Sequence, residues 1–256
     1  MPTPYRIYPY KLASQSAKAL RDSLDGLLIK PEESTYMPRD RHHIINWGNS
    51  SMPNWLADGV RILNKPDMVS RATNKLNTLR ILRDNGIACP EFTTNIGVAR
   101  HWMDYESKVY ARTVLNGHSG NGIVVCEGDD TLPDADLYTK GIDVKSEYRV
   151  HVFNGEVIDY IKKRRVLDDE PTDEENLVRS HENGWIFTRD NLRRLDRIEE
   201  LAINAIRYME LDFGAVDIIR DFNNDCFVLE INSACGLEGT TLEKYTEVIQ
   251  IYYANI

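Results

Sequence analysis

The clearest pattern along the chain is a pair of apolar runs, Gly214 to Arg220 and Cys226 to Asn232, rich in Val, Ile, Phe and Leu. They flank a polar cluster, Asp221-Phe222-Asn223-Asn224-Asp225, and so predict a β-hairpin. With Asn223-Asn224 as the turn pair, Phe222 faces Asp225, and counting outward sets Asp217 directly opposite Glu230. Asn232 lies two positions on and shares their face. A second hairpin is predicted over Glu147 to Phe153 and Glu156 to Ile161, joined by Asn154-Gly155. Its second strand runs into Lys162-Lys163-Arg164-Arg165. A third spans Ser107 to Arg112 and Ile123 to Cys126, with the glycine-rich Gly117-His118-Ser119-Gly120-Asn121-Gly122 at its tip.

Helical periodicity covers about Leu12 to Leu24, Met68 to Asn85 (stopped by Gly86) and Leu192 to Met209. Short strand-like runs at Tyr5 to Tyr8, Gly26 to Lys30 and His43 to Trp47 make the first part a small βαβ-type unit. The loop Gly48 to Pro53 leaves a strand, a common place for small-molecule binding in such units, although Asn49, Ser50 and Ser51 also read as a plain polar turn.

Polar positions on this framework suggest chemistry. Facing carboxylates repel, so Asp217 and Glu230 call for something cationic between them. Oxygen-only donors suit Mg²⁺ or Mn²⁺, ions that also grip substrate phosphates. The competing reading is an exposed hairpin face with two solvated acids, since a one-residue slip of register separates them. The glycine-rich tip can bring backbone N–H groups close to phosphate, but a bland hairpin tip has the same composition; it is not a P-loop, because no Gly-Lys-Ser/Thr follows. The basic run at 162–165 reads either as a solvated surface or as a clamp for a triphosphate.

Composition narrows the classes. A net charge of −9 argues against general nucleic-acid binding, so an anionic ligand must meet a local basic cluster. No apolar run approaches the length that spans a bilayer and the start lacks a signal-peptide core, from which a cytoplasmic protein is expected. Cys89, Cys126, Cys226 and Cys235 are scattered without a C-x-x-C pair, which suggests reduced, structural thiols.

In combination these segments resemble the ATP-grasp carboxylate-amine ligases, in particular the ribosomal-protein glutamate ligases and glutathione synthetases, from about Asp67 to the C terminus. Asp217 with Glu230-Ile231-Asn232, followed by Ser233 to Gly239, is similar to the family's metal-binding acid and Glu-x-Asn. The resemblance implies an α+β ATP-grasp fold, with two α+β subdomains sandwiching ATP, behind a small α/β N-terminal domain. The implied boundaries are 1–66 for that domain and 67–256 for the ATP-grasp domain, divided into a lid-type part, 67–140, and a metal-binding part, 141–256. Asp217, Glu230 and Asn232 would hold Mg²⁺ or Mn²⁺. Lys75, in Asn74-Lys75-Leu76, and Arg112, where many relatives carry Lys, would contact nucleotide. Gly117, His118, Ser119, Gly120 and Gly122 would fold over the phosphates, and the hinge Leu137 to Ile142, with Tyr138, Thr139, Lys140 and Ile142, would read adenine. Arg149, the Lys163 and Arg164 pair (Lys162 if the alignment slips by one) and Arg179 would serve catalysis, with Asn183 as a further metal or phosphate ligand.

The activity so implied is ATP-dependent joining of a carboxylate to an amine through an acyl phosphate, the amine belonging to an amino acid, peptide, polyamine or protein terminus. The Gly48 to Ser51 loop is the candidate substrate contact of the N-terminal domain. The family's tendency toward dimers or tetramers makes self-association an expectation. A phosphotransferase on the same fold and a non-catalytic ATP-binding or protein-interaction module are the alternatives.

Overall fold

Strands β1 (Tyr5–Pro9), β2 (Leu27–Leu28), β3 (His43–Trp47) and β4 (Ile62–Leu63) form a parallel sheet ordered β2-β1-β3-β4. Parallel strands are covered on both faces, and Ile7, Tyr8, Ile44, Ile45 and Trp47 are accordingly buried in succession rather than alternately. Helix α1 (Gln15–Ser23) crosses between β1 and β2, and its N-terminus is capped by Ser14, whose hydroxyl accepts from the Ala17 N–H. The computed structural model describes residues 3–105, 107–116, 122–166 and 184–255.

The Gly48 to Ser51 loop is a structural turn. The Asn49 side chain donates to the Pro9 carbonyl at 3.0 Å and accepts from the Ser51 N–H at 2.9 Å, while its own N–H donates to Asn46 at 2.8 Å. Asn49 is thus engaged by three hydrogen bonds that hold the turn. Gly48 has φ +77° and packs so closely on Ala234 that a Cβ there would come within 2.5 Å of the Ala234 side chain. Asn64 ties this unit to the rest of the chain: its carboxamide accepts from the Asp212 N–H at 2.8 Å and donates to the Phe213 carbonyl at 2.9 Å.

The expected single helix from Met68 to Asn85 is two helices, α2 (Pro66–Thr73) and α3 (Lys75–Asp84). Asn74 leaves the helical region, at ψ 109°, and its side chain accepts from the Asn77 N–H at 3.0 Å, so it starts α3. Asparagine competes with helix continuation in this way because its side chain can cap a new turn. Val69, Ala72 and Leu82 lie in one core with Ile198, Val216 and Ile218. α2 and α3, which the expected boundaries place in the lid-type part 67–140, thus pack into this core.

A second sheet, antiparallel and ordered β5-β8-β6-β7, combines β5 (Phe92–Thr93), β6 (Val109–Arg112), β7 (Ile123–Cys126) and β8 (Leu137–Lys140). With α4 (Ile96–Asp104) it encloses its own small core of Ala99, Met103, Val109, Ala111, Cys126, Leu132 and Tyr138. The third sheet, β11-β10-β9-β12-β13, consists of β9 (Val144–Phe153), β10 (Glu156–Arg165), β11 (Trp185–Thr188), β12 (Phe213–Asp221) and β13 (Cys226–Asn232). The β9–β10 turn is Asn154-Gly155 as expected, with φ of 48° and 80°.

Helix α5 (Asp196–Tyr208) covers one face of this sheet, and α6 (Gly239–Ala254) packs its Tyr245 and Ile249 into a core with Trp47, Phe153, Phe213 and Ala215. The predicted start of α5 at Leu192 is four residues early, because Leu195 is still extended at ψ 116°.

The hairpin of β12 and β13 corrects the predicted turn. Asp221, not Phe222, faces Asp225, the two being joined by a backbone bond of 3.0 Å, and Asn224 is left-handed at φ 68°. The loop is therefore the three residues Phe222 to Asn224. The one-residue slip this introduces is removed by a bulge: Ile218 pairs with Val228, whereas Asp217 pairs with Glu230. Val228 and Ile231 both enter the core under α5, so Leu229 and Glu230 between them both face the other way.

Candidate active site

A cleft of about 790 Å³ lies between the second and third sheets, lined among others by Lys75, Tyr110, Arg112, Thr139, Lys140, Ile142, Glu147, Lys163, Ile219 and Leu229. Lys75, the first residue of α3, lines it and ion-pairs with Glu230 at 2.6 Å. Arg149, two positions along β9 from Glu147, makes a two-pronged bond to Asp217, 2.6 Å from Nε and 2.8 Å from Nη2. Asn232 bridges the acids, its amide nitrogen 2.9 Å from Glu230 and 3.4 Å from Asp217. The facing carboxylates are thus compensated first by two protein cations.

Burial pushes the Asp217 carboxyl up, to about 6, and Glu230 and Glu147 add to the push against the pairing with Arg149. Glu230 goes the other way: burial would raise it, but the Lys75 ammonium and the Asn232 amide outweigh burial and hold it well below the usual carboxylate range. Arg149 is more firmly protonated than usual, since Asp217 and Glu230 overcome its burial. Among the described residues no three His, Cys, Asp or Glu side chains cluster as a self-sufficient metal site. Two carboxylates and a carboxamide on one surface nevertheless fit a hard divalent cation whose remaining ligands come from a substrate.

Of the other expected residues, Arg112, Thr139, Lys140 and Ile142 line the cleft. The Lys140 ammonium reaches Glu91 at 3.3 Å. Gly141 is required at the hinge, because a Cβ there would come within 2.9 Å of the Lys108 side chain. Tyr138 does not line the cleft; its ring is buried in the core of the second sheet, where its hydroxyl donates to the Pro133 carbonyl at 2.9 Å. Lys163 faces the cleft and pairs with Glu147 at 2.5 Å.

Arg164 is not brought in with it. Strand alternation turns Arg164 and Lys162 to the opposite face, where the Lys162 ammonium lies 5.8 Å from the Tyr148 ring centre. Gly122, with φ +75°, is the turn residue immediately before β7, while Gly117, His118, Ser119, Gly120, Arg179 and Asn183 lie outside the described residues.

Two contributions escape the sequence. Phe187 on β11 places its ring 4.4 Å from the Arg149 guanidinium and 5.1 Å from the Lys163 ammonium, fixing both cations from below. Leu229 reaches the cleft only because of the bulge.

Three sheets in this order, with paired acids and cations joined through Lys75 to the cleft between the second and third, define an ATP-grasp protein. The chain belongs to the RimK-like ATP-grasp domain family, whose model matches residues 72–252, and with it to the carboxylate-amine ligases. Among curated proteins it is 27% identical over 242 residues to the ribosomal protein bS6–L-glutamate ligase of Shigella flexneri, covering 85% of this chain and 74% of that protein. It is 26% identical over 227 residues to a probable alpha-L-glutamate ligase of Maridesulfovibrio salexigens, covering 83% and 71%. Among solved structures, the ATP-grasp ligase PsnB, complexed with a phosphomimetic variant of its minimal precursor, Mg and ADP, superposes with a TM-score of 0.71 at 13% identity, covering 98% of this chain and 99% of that one. D-alanine–D-alanine ligase from Bacillus anthracis gives 0.66 at 12% identity, with 98% of each chain covered. No helix of the described residues is long and apolar enough to cross a membrane.

Proposed function

We propose that this chain uses ATP to activate a carboxylate and joins it to an amine. The observation that carries this reading is the meeting of Lys75–Glu230 and Arg149–Asp217, bridged by Asn232, beside the cleft that Lys75 lines. ATP would lie in the cleft against Thr139, Lys140, Ile142 and Leu229, with its phosphates toward Lys75, Arg112 and Lys163. Asp217, Glu230 and Asn232 would hold Mg²⁺, or Mn²⁺ in its place, which when bound neutralises phosphate charge and orients the γ-phosphoryl group.

In the first step a substrate carboxylate oxygen attacks the γ-phosphorus, the bond to the bridging oxygen breaks, and ADP leaves. The amine nitrogen then attacks the acyl carbon, phosphate leaves, and the nitrogen loses a proton. Arg149, oriented by Asp217 and Phe187, carries a fixed positive charge toward the transferring group, and such positioning is the main catalytic resource in phosphoryl transfer. A second cavity of about 660 Å³, between α1 and residues 234–238 directly after Asn232, gives room for a substrate.

The names of the curated relatives make L-glutamate the first amine to test. ADP release should depend on both a carboxylate and an amine, and the product should gain the mass of the amine less water. ADP release indifferent to every amine, with phosphate found on a stable acceptor, would favour a phosphotransferase instead.

A further inference from the structure

Outside the cleft proper, Asp159 on β10 is 1% exposed at its side chain and collects four side-chain donor groups besides the Tyr160 N–H at 3.0 Å. The Arg189 guanidinium forks onto it, with Nε at 3.1 Å and Nη2 on the other oxygen. The Thr241 hydroxyl and the Lys244 ammonium, both on α6, each reach it at 2.8 Å. A carboxylate accepts about four hydrogen bonds, so Asp159 is saturated. Among the described residues two cations share one acid, which leaves the cluster one positive charge in excess. Arg189 and Lys244 are 39% and 35% exposed, so that excess is presented to solvent.

The location links the cluster to the reactive centre. Asp159 pairs with His151, two positions along β9 from Arg149, hence about 7 Å away on the same face. Arg189 follows Phe187 by two residues, and Phe187 is the ring beneath Arg149. The cleft lies at the Glu147 end of β9, so the cluster is on the side of Arg149 away from the nucleotide. His151 between them is buried and held neutral, its imidazole pushed down to about 3 by burial and by the neighbouring Arg149, Arg189 and Lys244 cations.

We infer that Arg189, Lys244 and Thr241, gathered on the buried Asp159 carboxylate, form a subsite for a non-reacting carboxylate of the substrate. A structural clamp between β10 and α6 needs only one cation: the Arg189 fork already fills both oxygens of Asp159. The second cation and its exposure are explained by an anionic ligand. The ~7 Å offset from Arg149 suits a short dicarboxylic amino acid, or an acidic residue of a peptide, with one end at the reactive centre. The inference rests on the ligase reading for its choice of ligand, but its test does not require turnover.

The test is calorimetric titration of L-glutamate, with L-glutamine as the neutral control, into the full chain saturated with a non-hydrolysable ATP analogue. Wild type should bind glutamate at least tenfold more tightly than glutamine. Arg189→Met and Lys244→Met should each weaken glutamate tenfold or more and leave glutamine unchanged, and Arg189→Lys should recover part of the loss. Each single variant keeps Asp159 paired with the remaining cation, so the fold should persist, which circular dichroism checks. Glutamate binding equal to wild type in both Met variants, or no preference for glutamate in wild type, would overturn the subsite. Charge-selective binding without amine-dependent ADP release would retain the subsite and remove the ligase reading.

Discussion

Two buried aspartates on one sheet face, Asp217 and Asp159, are each gripped by an arginine fork, yet their carboxyls are driven in opposite directions. Asp217 shares its surroundings with Glu230 and Glu147, and burial raises it to about 6. Asp159 is also penalised by burial, but Arg189, Lys244 and Thr241 outweigh that and hold it well below the carboxylate range. The environment, not the ion pair alone, sets the sign. One end of the face gathers facing carboxylates, each matched by a protein cation, and suits a hard divalent ion; the other, among the described residues, has positive charge to spare and suits an anion.

The largest effect that would break this contrast is at the acidic end. Glu230→Gln should lower ADP formation by about a thousandfold, in the range of losing a principal electrostatic group. It should also cost about 1 kcal/mol of stability without nucleotide, measured by urea unfolding, because Lys75, 12% exposed, loses its charged partner. Relief of repulsion between facing acids, the expectation from the hairpin alone, is outweighed by that loss.

Next comes Asp159→Asn. It should destabilise the protein by about 2 kcal/mol at pH 7, less than for a fully buried pair because Arg189 and Lys244 are more than a third exposed. The Asp159 carboxylate is depressed in the folded state, so its contribution is complete above the unfolded value of about 4 and is lost as pH falls further. The gap between wild type and variant should accordingly close from about pH 4 downward.

His151 supplies a distinct acid limb. Its folded value of about 3 lies below the unfolded 6.5, so the unfolded chain takes up the extra proton and stability falls as pH drops between those values. The slope should approach 1.4 kcal/mol per pH unit and flatten in His151→Gln. The smallest effect is expected for Phe187→Leu, which removes the ring under Arg149 and Lys163 and should lower kcat/KM about threefold, as befits a loss of ~0.5–1 kcal/mol.

Legibility in the sequence followed locality. The Asn154-Gly155 turn fixes its own φ values and was legible, but the register shift between Val157 and Asp159 moves the count by one, so the turn alone does not set Arg149 opposite Ile161. The Asp217–Glu230 pairing was also predicted, although through a two-residue turn; the three-residue loop and the bulge at Leu229 cancel. A bulge is a decision of packing, since Val228 and Ile231 both have to enter the core, and no local signal in Cys226 to Asn232 marks it. Arg164 was misplaced beside Lys163 because a basic run reads as one patch, whereas strand alternation splits it between two faces. The Asp159 cluster draws on β10, the segment after β11 and α6, separated by 30 and 52 residues for its Arg189 contacts, and such long-range meetings leave no spacing to read.

The account is tested most directly by titrating Mg²⁺ and L-glutamate into the same three proteins, wild type, Glu230→Gln and Arg189→Met, each saturated with the ATP analogue. The two ends of the sheet should separate: Glu230→Gln should lose tight Mg²⁺ binding and keep glutamate, and Arg189→Met should lose glutamate and keep Mg²⁺. Mg²⁺ binding undiminished in Glu230→Gln, or both ligands lost together in both variants, would contradict it.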